Sequence, residues 1–509
     1  IKHDREQHGP NQLHRVWATS AGRLISGMKY LGQWEARCEE VIDELSSTGG
    51  WLCVNSLHDL ILTGGKDPRD SLASFFLPYI RHGQLKLVCE ASPTQLVAAE
   101  RLLPEFVEAL TKFPLKRLEE KHRNQAMEQG SQVIAEQHQI KFDPAVSRTV
   151  LRLVQRFEPY KAPLAPAMQL MRRLAASARK SKTPVVPTDD VYQSYAEKTG
   201  LPLEILLDSL PLKFDDVVAR LRSEVVGQEQ ACRDVAKVVT TFKTGLNPER
   251  KPLGVLLFCG PTGVGKTQMA KTLGQYLFGH SRDDTLVRLD MSEYGGPTAA
   301  DRLLCKPDRS PSAWIQQVRK QPFCVLLLDE IEKADAQVFD VIMGLMDEGR
   351  LTDVYGRVTD FTSAIVIMTS NLGVTATQEI GFTESDSNRF EARVREFFRP
   401  EFFNRIDGVT PFGKLAKPDC RTIIRMELDA LQKRDGLARR SIELDFDDSV
   451  IEFLLDEGFD DALGARPLQR SLEKHITSRV ARYLAKNYRL RDCRLRVRHD
   501  DASGIELLS

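Results

Sequence analysis

Gly260-Pro261-Thr262-Gly263-Val264-Gly265-Lys266-Thr267 is the stretch whose reading decides the fold. The apolar run 253–259 before it reads as a buried parallel strand, and residues 268–277 after it carry a helical pattern. The octet is G-x-x-x-x-G-K-[ST] in the strand–loop–helix setting that the pattern requires. Its glycines let backbone N–H groups turn toward a phosphate chain, and the helix N-terminus adds positive potential there. Lys266 is expected to reach the β- and γ-phosphates of ATP, and the Thr267 hydroxyl to bind Mg²⁺. Gly260, Pro261, Thr262, Gly263, Val264, Gly265, Lys266 and Thr267 thus form the expected nucleotide-binding loop of an α/β fold.

Further along, Val325-Leu326-Leu327-Leu328-Asp329-Glu330 is a second buried strand that ends in two acids. Ligands bind beyond the carboxyl ends of strands in such sheets. Asp329 suits the Mg²⁺ shell, and Glu330 suits orienting and polarising an attacking water. A third apolar strand, 364–370, ends at Asn371, placed to touch the γ-phosphate or the water. Arg405 and Arg466 sit beside apolar residues in Phe402-Phe403-Asn404-Arg405-Ile406-Asp407 and Gly464-Ala465-Arg466-Pro467-Leu468. By themselves such arginines usually lay their stems along apolar surface.

Composition sets the outer bounds. The 509 residues suggest two to four domains, and 42% hydrophobic with 28% charged residues is an ordinary soluble balance. Lys+Arg and Asp+Glu are 71 each, so no global charge favours nucleic acid or an anionic membrane as main partner. No apolar run approaches bilayer-spanning length. The nine cysteines include no CxxC pair. Cys53, Cys259 and Cys324 lie in apolar runs and read as buried, reduced thiols, which points to a reducing cytoplasm.

Several segments together resemble the second ATPase module of the AAA+ Clp chaperones. They are Val225-Val226-Gly227-Gln228, the GPTGVGKT loop, Asp290-Met291-Ser292-Glu293-Tyr294, LLLDEIEKA, Asp347-Glu348-Gly349-Arg350-Leu351-Thr352-Asp353, MTSNLG, FRPEFFNRID and GARPLQR, in family order from about residue 190 to 495. The resemblance implies tandem AAA+ modules, each a parallel-sheet P-loop large subdomain with a small, mainly helical lid. It implies that Val225 and Val226 cup the adenine. It makes Arg405 a finger reaching the γ-phosphate on a neighbouring subunit, and Arg466 a sensor on the lid. A finger acting across subunits requires an oligomer, and the family forms hexameric rings.

An earlier part of the chain resembles the family's first module. Gly27-Met28-Lys29-Tyr30-Leu31-Gly32 matches a first-ring pore loop, which makes Lys29 and Tyr30 substrate-gripping residues. Trp51-Leu52-Cys53-Val54-Asn55-Ser56-Leu57-His58 falls where relatives carry Asp-Glu-Leu-His at the end of a strand. Asn55 and Ser56 stand in place of the two acids, and Ser56 cannot polarise a nucleophile. Glu105 lies where relatives place finger arginines, and its charge has the wrong sign beside a γ-phosphate. Two separate losses give a first module without hydrolysis, its own P-loop expected upstream of Ile1.

The expected boundaries are 1–112 for the first large subdomain, 113–185 for its helical lid and 186–222 for a linker and lead-in. Residues 223–415 then form the active large subdomain and 416–509 the C-terminal lid. The basic, Pro-containing segment 178–187 reads as part of the linker. No heptad-rich insertion separates the modules, which favours the ClpA/ClpC-like branch. The region 303–314 has no aromatic residue until Trp314, where relatives carry a second pore loop, and Trp314 reads as part of the next helix. Ile380-Gly381-Phe382 sits after MTSNLG, where protease-partnered relatives carry a loop that docks into ClpP. The expectation is a homo-hexameric, ATP-dependent protein unfoldase or remodeller with a ClpP-like protease as partner. Two readings stand beside it: a remodeller of one dedicated assembly without a protease, and an ATP-gated scaffold that threads no substrate.

Overall fold

The computed structural model describes residues 16–508 apart from 27–32, 66, 117, 159–161, 182, 208, 249, 279–285, 308–309, 354, 373–390, 393, 461–462 and 501–503. The chain divides into two compact units, one of residues 1–118 with 352–358 and the other of 119–351 with 359–509.

The first unit holds a parallel sheet of Val16–Thr19 (β1), Trp51–Val54 (β2) and Lys86–Cys89 (β3), in that spatial order. Leu52 and Val54 point into a core with Ile42, Leu60, Phe76 and Phe106. Helices Gln33–Thr48, Leu57–Leu62, Leu72–Arg81 and Pro93–Leu102 contribute to that core, as do Ala21, Leu24 and Val107.

The second unit begins with three long helices, Glu120–His138, Val146–Phe157 and Leu164–Ser181, tied by the short parallel pair Lys141–Phe142 (β4) and Val185–Val186 (β5). The segment 178–187, expected to be a linker, is built into this layer. Ala178 is buried at the end of its helix, and Val186 is buried in β5. Arg179 and Lys180 lie on the exposed face, so they report a solvated helix side and not a break in the fold. Residues 186–222 are likewise folded, with helices Thr188–Thr199, Leu203–Leu206 and Phe214–Arg222 and the fully buried Tyr195 and Ile205. Phe157 packs its ring against Tyr195, Phe242 and Phe323, so this helical layer and the following α/β layer share one core.

That α/β layer is a five-stranded parallel sheet of Gly254–Cys259 (β6), Leu286–Asp290 (β7), Cys324–Asp329 (β8), Ala364–Ser370 (β11) and Gly408–Pro411 (β12). Arg350–Thr352 (β9) and Val358–Asp360 (β10) pair separately as a ribbon. The spatial order is β12-β6-β11-β8-β7, all parallel. Every residue of β6, β8 and β11 is buried, as expected for strands covered on both faces. Successive residues point to opposite faces. Leu256, Phe258, Val325, Leu327, Ile365 and Ile367 enter one core, and Val255, Leu257, Leu326, Leu328, Val366 and Met368 enter the other. Helix Lys266–Phe278 follows β6 directly, as the strand–loop–helix reading requires.

The C-terminal part has its own core under helices Lys417–Gln432, Asp448–Gly458, Arg466–Leu472 and Ser478–Lys486. It also carries a three-stranded sheet of Ile442–Phe446 (β13), Cys493–Asp500 (β14) and Gly504–Leu508 (β15). Among the described residues no helix is long and apolar enough to cross a membrane. Cys259 and Cys324 are buried thiols as read from the sequence, whereas Cys53 is only half-buried.

Candidate nucleotide site

The loop between β6 and its helix turns on backbone that side chains resist. Gly263 has φ +78°, and a Cβ there would lie 2.3 Å from the carbonyl oxygen of Leu463. The same close approach carries a hydrogen bond from the Ala465 N–H to the Gly263 carbonyl at 2.9 Å. This contact brings Arg466, at the start of its helix, over the loop. Behind the loop, the buried Gln228 donates to the carbonyls of Val264 (3.2 Å) and Gly413 (3.0 Å) and accepts from the Gly413 N–H (3.1 Å). It ties the phosphate loop to the chain leaving β12. Val225 is buried in the same core, and Val226 is half-buried beside it. The sequence presents Gln228 only as the last residue of the Val225–Gln228 motif; its tie between Val264 and Gly413 gives no local signal.

Lys266 is 8% exposed, and its ammonium is folded back onto its own loop. It donates to the Gly260 carbonyl, to the Pro261 carbonyl at 2.9 Å and to Asn371 Oδ1 at 3.0 Å. Burial pushes its pKa down to about 8, against the pull of nearby Cys259, Glu332 and Asp329. Thr267 is half-buried one residue on.

Two acids occupy the end of β8. Asp329 is buried; its Oδ1 accepts from Thr369 Oγ1 at 2.5 Å and its Oδ2 from Arg288 Nη2 at 2.7 Å. Glu330 adopts φ 57° and ψ 50°. This left-handed conformation costs a residue with a Cβ about 1–2 kcal/mol. It is held by the Glu330 N–H donating to Thr369 Oγ1 at 3.1 Å. The Glu330 carboxylate pairs with Lys333. Thr369 therefore clasps both acids from the neighbouring strand, and Arg288 neutralises the buried one. Neither residue stood out in the sequence. Their meaning lies in the register Leu328↔Met368 and Asp290↔Asp329, which no local pattern encodes.

Asn371 lies at the end of β11, its N–H donating to Glu332 Oε1 at 3.1 Å. Arg405 follows helix Pro400–Phe403, its Nε on Asp347 Oδ2 at 2.5 Å and its Nη1 on the Glu401 carbonyl. Arg466, Gln469, Arg470, Glu473 and Lys474 line a cleft of about 530 Å³ on the lid. Lys266, Asn371, Asp329 and Glu332 are thus brought to one place, with Arg466 close enough to act on the Lys266 charge. Arg405 is engaged with Asp347 instead.

The AAA domain (Cdc48 subfamily) family model matches residues 251–409, and that for the C-terminal, D2-small domain of ClpB protein matches residues 415–497. A ClpA homologue of Porphyra purpurea, named as an ATP-binding subunit of ATP-dependent Clp protease, is 29% identical across 92% of this chain. This chain belongs to the Clp/Hsp100 AAA+ family. The chaperone ClpB of Oceanobacillus iheyensis is 29% identical over 93% of the chain, and the ClpC subunit of Staphylococcus aureus 28% over 96%. The chain spans 66% of the length of the Porphyra relative and 68% of each of these two. The ADP complex of Saccharomyces cerevisiae Hsp104 superposes with a TM-score of 0.73 at 27% identity, over 96% of this chain and 85% of that one. A closed state of Hsp104 with ATPγS and casein gives 0.70 at 27%, over 100% and 89%. Clp/Hsp100 members are ATP-hydrolysing AAA+ enzymes, and the phosphate loop, acid pair and lid described above lie inside the matched segments.

The first unit of this Clp/Hsp100 chain uses its substituted positions differently. Ser56 caps helix Leu57–Leu62, its hydroxyl accepting from the Asp59 N–H at 3.1 Å. Asn55 is exposed at the end of β2. Glu105 sits in the first turn of its helix, 3.7 Å from Arg81. Lys29, Tyr30, Ile380, Gly381 and Phe382 lie outside the described residues. Trp314 is in the helix Ala313–Lys320, buried against Phe361, with its Nε1 donating to the Leu303 carbonyl at 2.7 Å. The chain before it is closed by a bridge between Cys305 and Pro311.

Proposed function

We propose that this chain hydrolyses ATP at the site of its second AAA+ module and uses the energy to remodel protein substrates as part of a homo-hexameric ring. The observation that carries the reading is the convergence of Lys266, Asn371 and Asp329 at a glycine-shaped loop, with Glu330 the next residue after Asp329. Thr267 and Asp329 suit a Mg²⁺ that arrives with the phosphates, since Mg²⁺ takes few protein ligands and keeps much of its water. When bound, that ion supplies charge neutralisation on the phosphate oxygens. The protein does the rest. Lys266 exchanges the loop carbonyls for phosphate oxygens. Glu330 takes the proton of a water that attacks the γ-phosphorus, while the bond to the β-phosphate oxygen breaks and ADP leaves. Arg405 gives up Asp347 for the γ-phosphate bound on an adjacent subunit, and Arg466 closes the lid over the site.

The first module is then a ring without hydrolysis. Ser56 serving as a helix cap supports that reading, because its hydroxyl is already engaged by backbone. Tyr30 is the aromatic proposed to grip polypeptide there. Ile380-Gly381-Phe382 is the proposed contact for a ClpP-like protease, and the cytoplasm is the proposed compartment. The buried Trp314 and the Cys305–Pro311 bridge favour a second reading for the second module: it drives motion by hydrolysis while substrate is held elsewhere. ATP-dependent loss of fluorescence from a tagged, folded fluorescent protein tests the remodelling claim. Wild type should unfold it and Lys266→Ala should not. Equal, ATP-independent behaviour of the two proteins would leave the scaffold reading in its place.

A further inference from the structure

Two groups that must face one γ-phosphate sit on different strands, Glu330 after β8 and Asn371 after β11. The backbone ladder that aligns these strands stops short of them. Its last partners are Leu328 and Met368, whereas the ladder between β11 and β6 runs on to Ser370 and Cys259. Beyond Leu328 the ends of β8 and β11 are therefore joined by side chains. Thr369 reaches from β11 to Asp329 Oδ1 and the Glu330 N–H. In the opposite direction Glu332, on the turn Ile331–Lys333, reaches back to the Asn371 N–H at 3.1 Å. The second oxygen of Glu332, Oε2, is buried and has no partner. Leaving such an atom unpaired carries a desolvation cost, so the carboxylate is not there as filler. Its charge also acts on Lys266 and on Lys333, the cations beside the phosphate loop and Glu330.

We infer that Glu332 is a positioning residue of the ATP site, clasping Asn371 to the β8 turn so that Asn371 and Glu330 address the same phosphate and water. The inference rests on the hydrolysis reading above. In this role Glu332 acts through Asn371; it sets a distance between the two groups assigned to the phosphate and the water. Removing it leaves the glycine loop and Lys266 in place, so nucleotide still binds. What is lost is alignment at the reacting atoms, where small displacements are expensive.

The test is steady-state ATP turnover by the full chain, with binding of a fluorescent nucleotide measured on the same samples. Glu332→Ala, and Glu332→Met as a variant that keeps the buried volume, should lower kcat about 10- to 100-fold while KM and nucleotide affinity stay within about 3-fold. Glu332→Gln retains an acceptor for the Asn371 N–H and should keep kcat within about 3-fold of wild type. Wild-type turnover in Glu332→Ala or Glu332→Met would overturn the assignment. So would a loss in Glu332→Gln as deep as in those two, since that would make the charge and not the clasp the active feature. A general loss of binding in all three would mark a folding role and overturn it as well. Glu330→Gln on the same plate separates the two claims. If it turns over like wild type, the hydrolysis reading falls and the Glu332 role with it; if it is inactive while Glu332→Ala is not, only the Glu332 role falls.

Discussion

Lys266 is a cation kept under cover, and its protonation should be visible. Burial pushes its pKa down to about 8, while a lysine in the unfolded chain titrates at its ordinary value of 10.5. Between those values the unfolded chain binds more protons, so this group's penalty on the nucleotide-free fold is largest below pH 8 and is relieved as pH rises toward 10.5. Phosphate binding works the other way, because it favours the charged ammonium. Nucleotide affinity should be flat below about pH 7.5 and fall by up to about 10-fold per unit above pH 8. Calorimetry at pH 8 in buffers of different ionisation enthalpy should show uptake of about half a proton per nucleotide. No proton uptake would mean that Lys266 is already fully charged before nucleotide arrives. At this scale the sequence was readable for some residues and silent for others. Lys266, Asp329 and Glu330 lie in local patterns whose chemistry is explicit. Gln228, Arg288, Glu332 and Thr369 act through partners tens of residues away, and Ser56 looked like a lost acid without showing its work as a cap.

The phosphate loop depends on an approach between two backbones. Gly263 lets the Leu463 carbonyl and the Ala465 N–H close on the loop. Gly263→Ala would place a methyl group against a carbonyl oxygen at a positive φ, a strain of about 1–3 kcal/mol. The expected result is a lower thermal midpoint together with weakened nucleotide binding, because the lid helix bearing Arg466 must move away. Unchanged affinity would show that the lid contact is dispensable. The strands around this loop were legible, since β6, β8 and β11 are apolar runs buried on both faces and punctuated by glycine or acids. The segment 178–222 was not. Lysine, arginine and proline there resemble a linker in composition, yet alternate with buried Ala178, Val186, Tyr195 and Ile205. Composition averages over faces, whereas a helix sorts them.

On the scale of the whole assembly, the state of Arg405 bears on the ring. In a single chain it is held by Asp347 and the Glu401 carbonyl, so a role on a neighbour's phosphate requires it to let go. Arg405→Ala should reduce turnover with little change in nucleotide affinity, since such an arginine acts on transition-state charge. Mixed with Lys266→Ala chains it should regain activity, because some interfaces then pair an intact finger with an intact loop. Activity of the mixture no higher than that of the separate proteins would count against a shared site. The proposed hexamer rests on resemblance alone; nothing in one chain's periodicity reports a ring. The turnover expectations presuppose that the second module hydrolyses ATP through Glu330. The most direct measurement is single-turnover hydrolysis of ATP by wild type and Glu330→Gln, each first shown to bind nucleotide equally well. The account predicts equal binding with turnover by Glu330→Gln reduced about 100-fold or more, because an amide cannot take the proton of the attacking water. Equal turnover by the two proteins would contradict it.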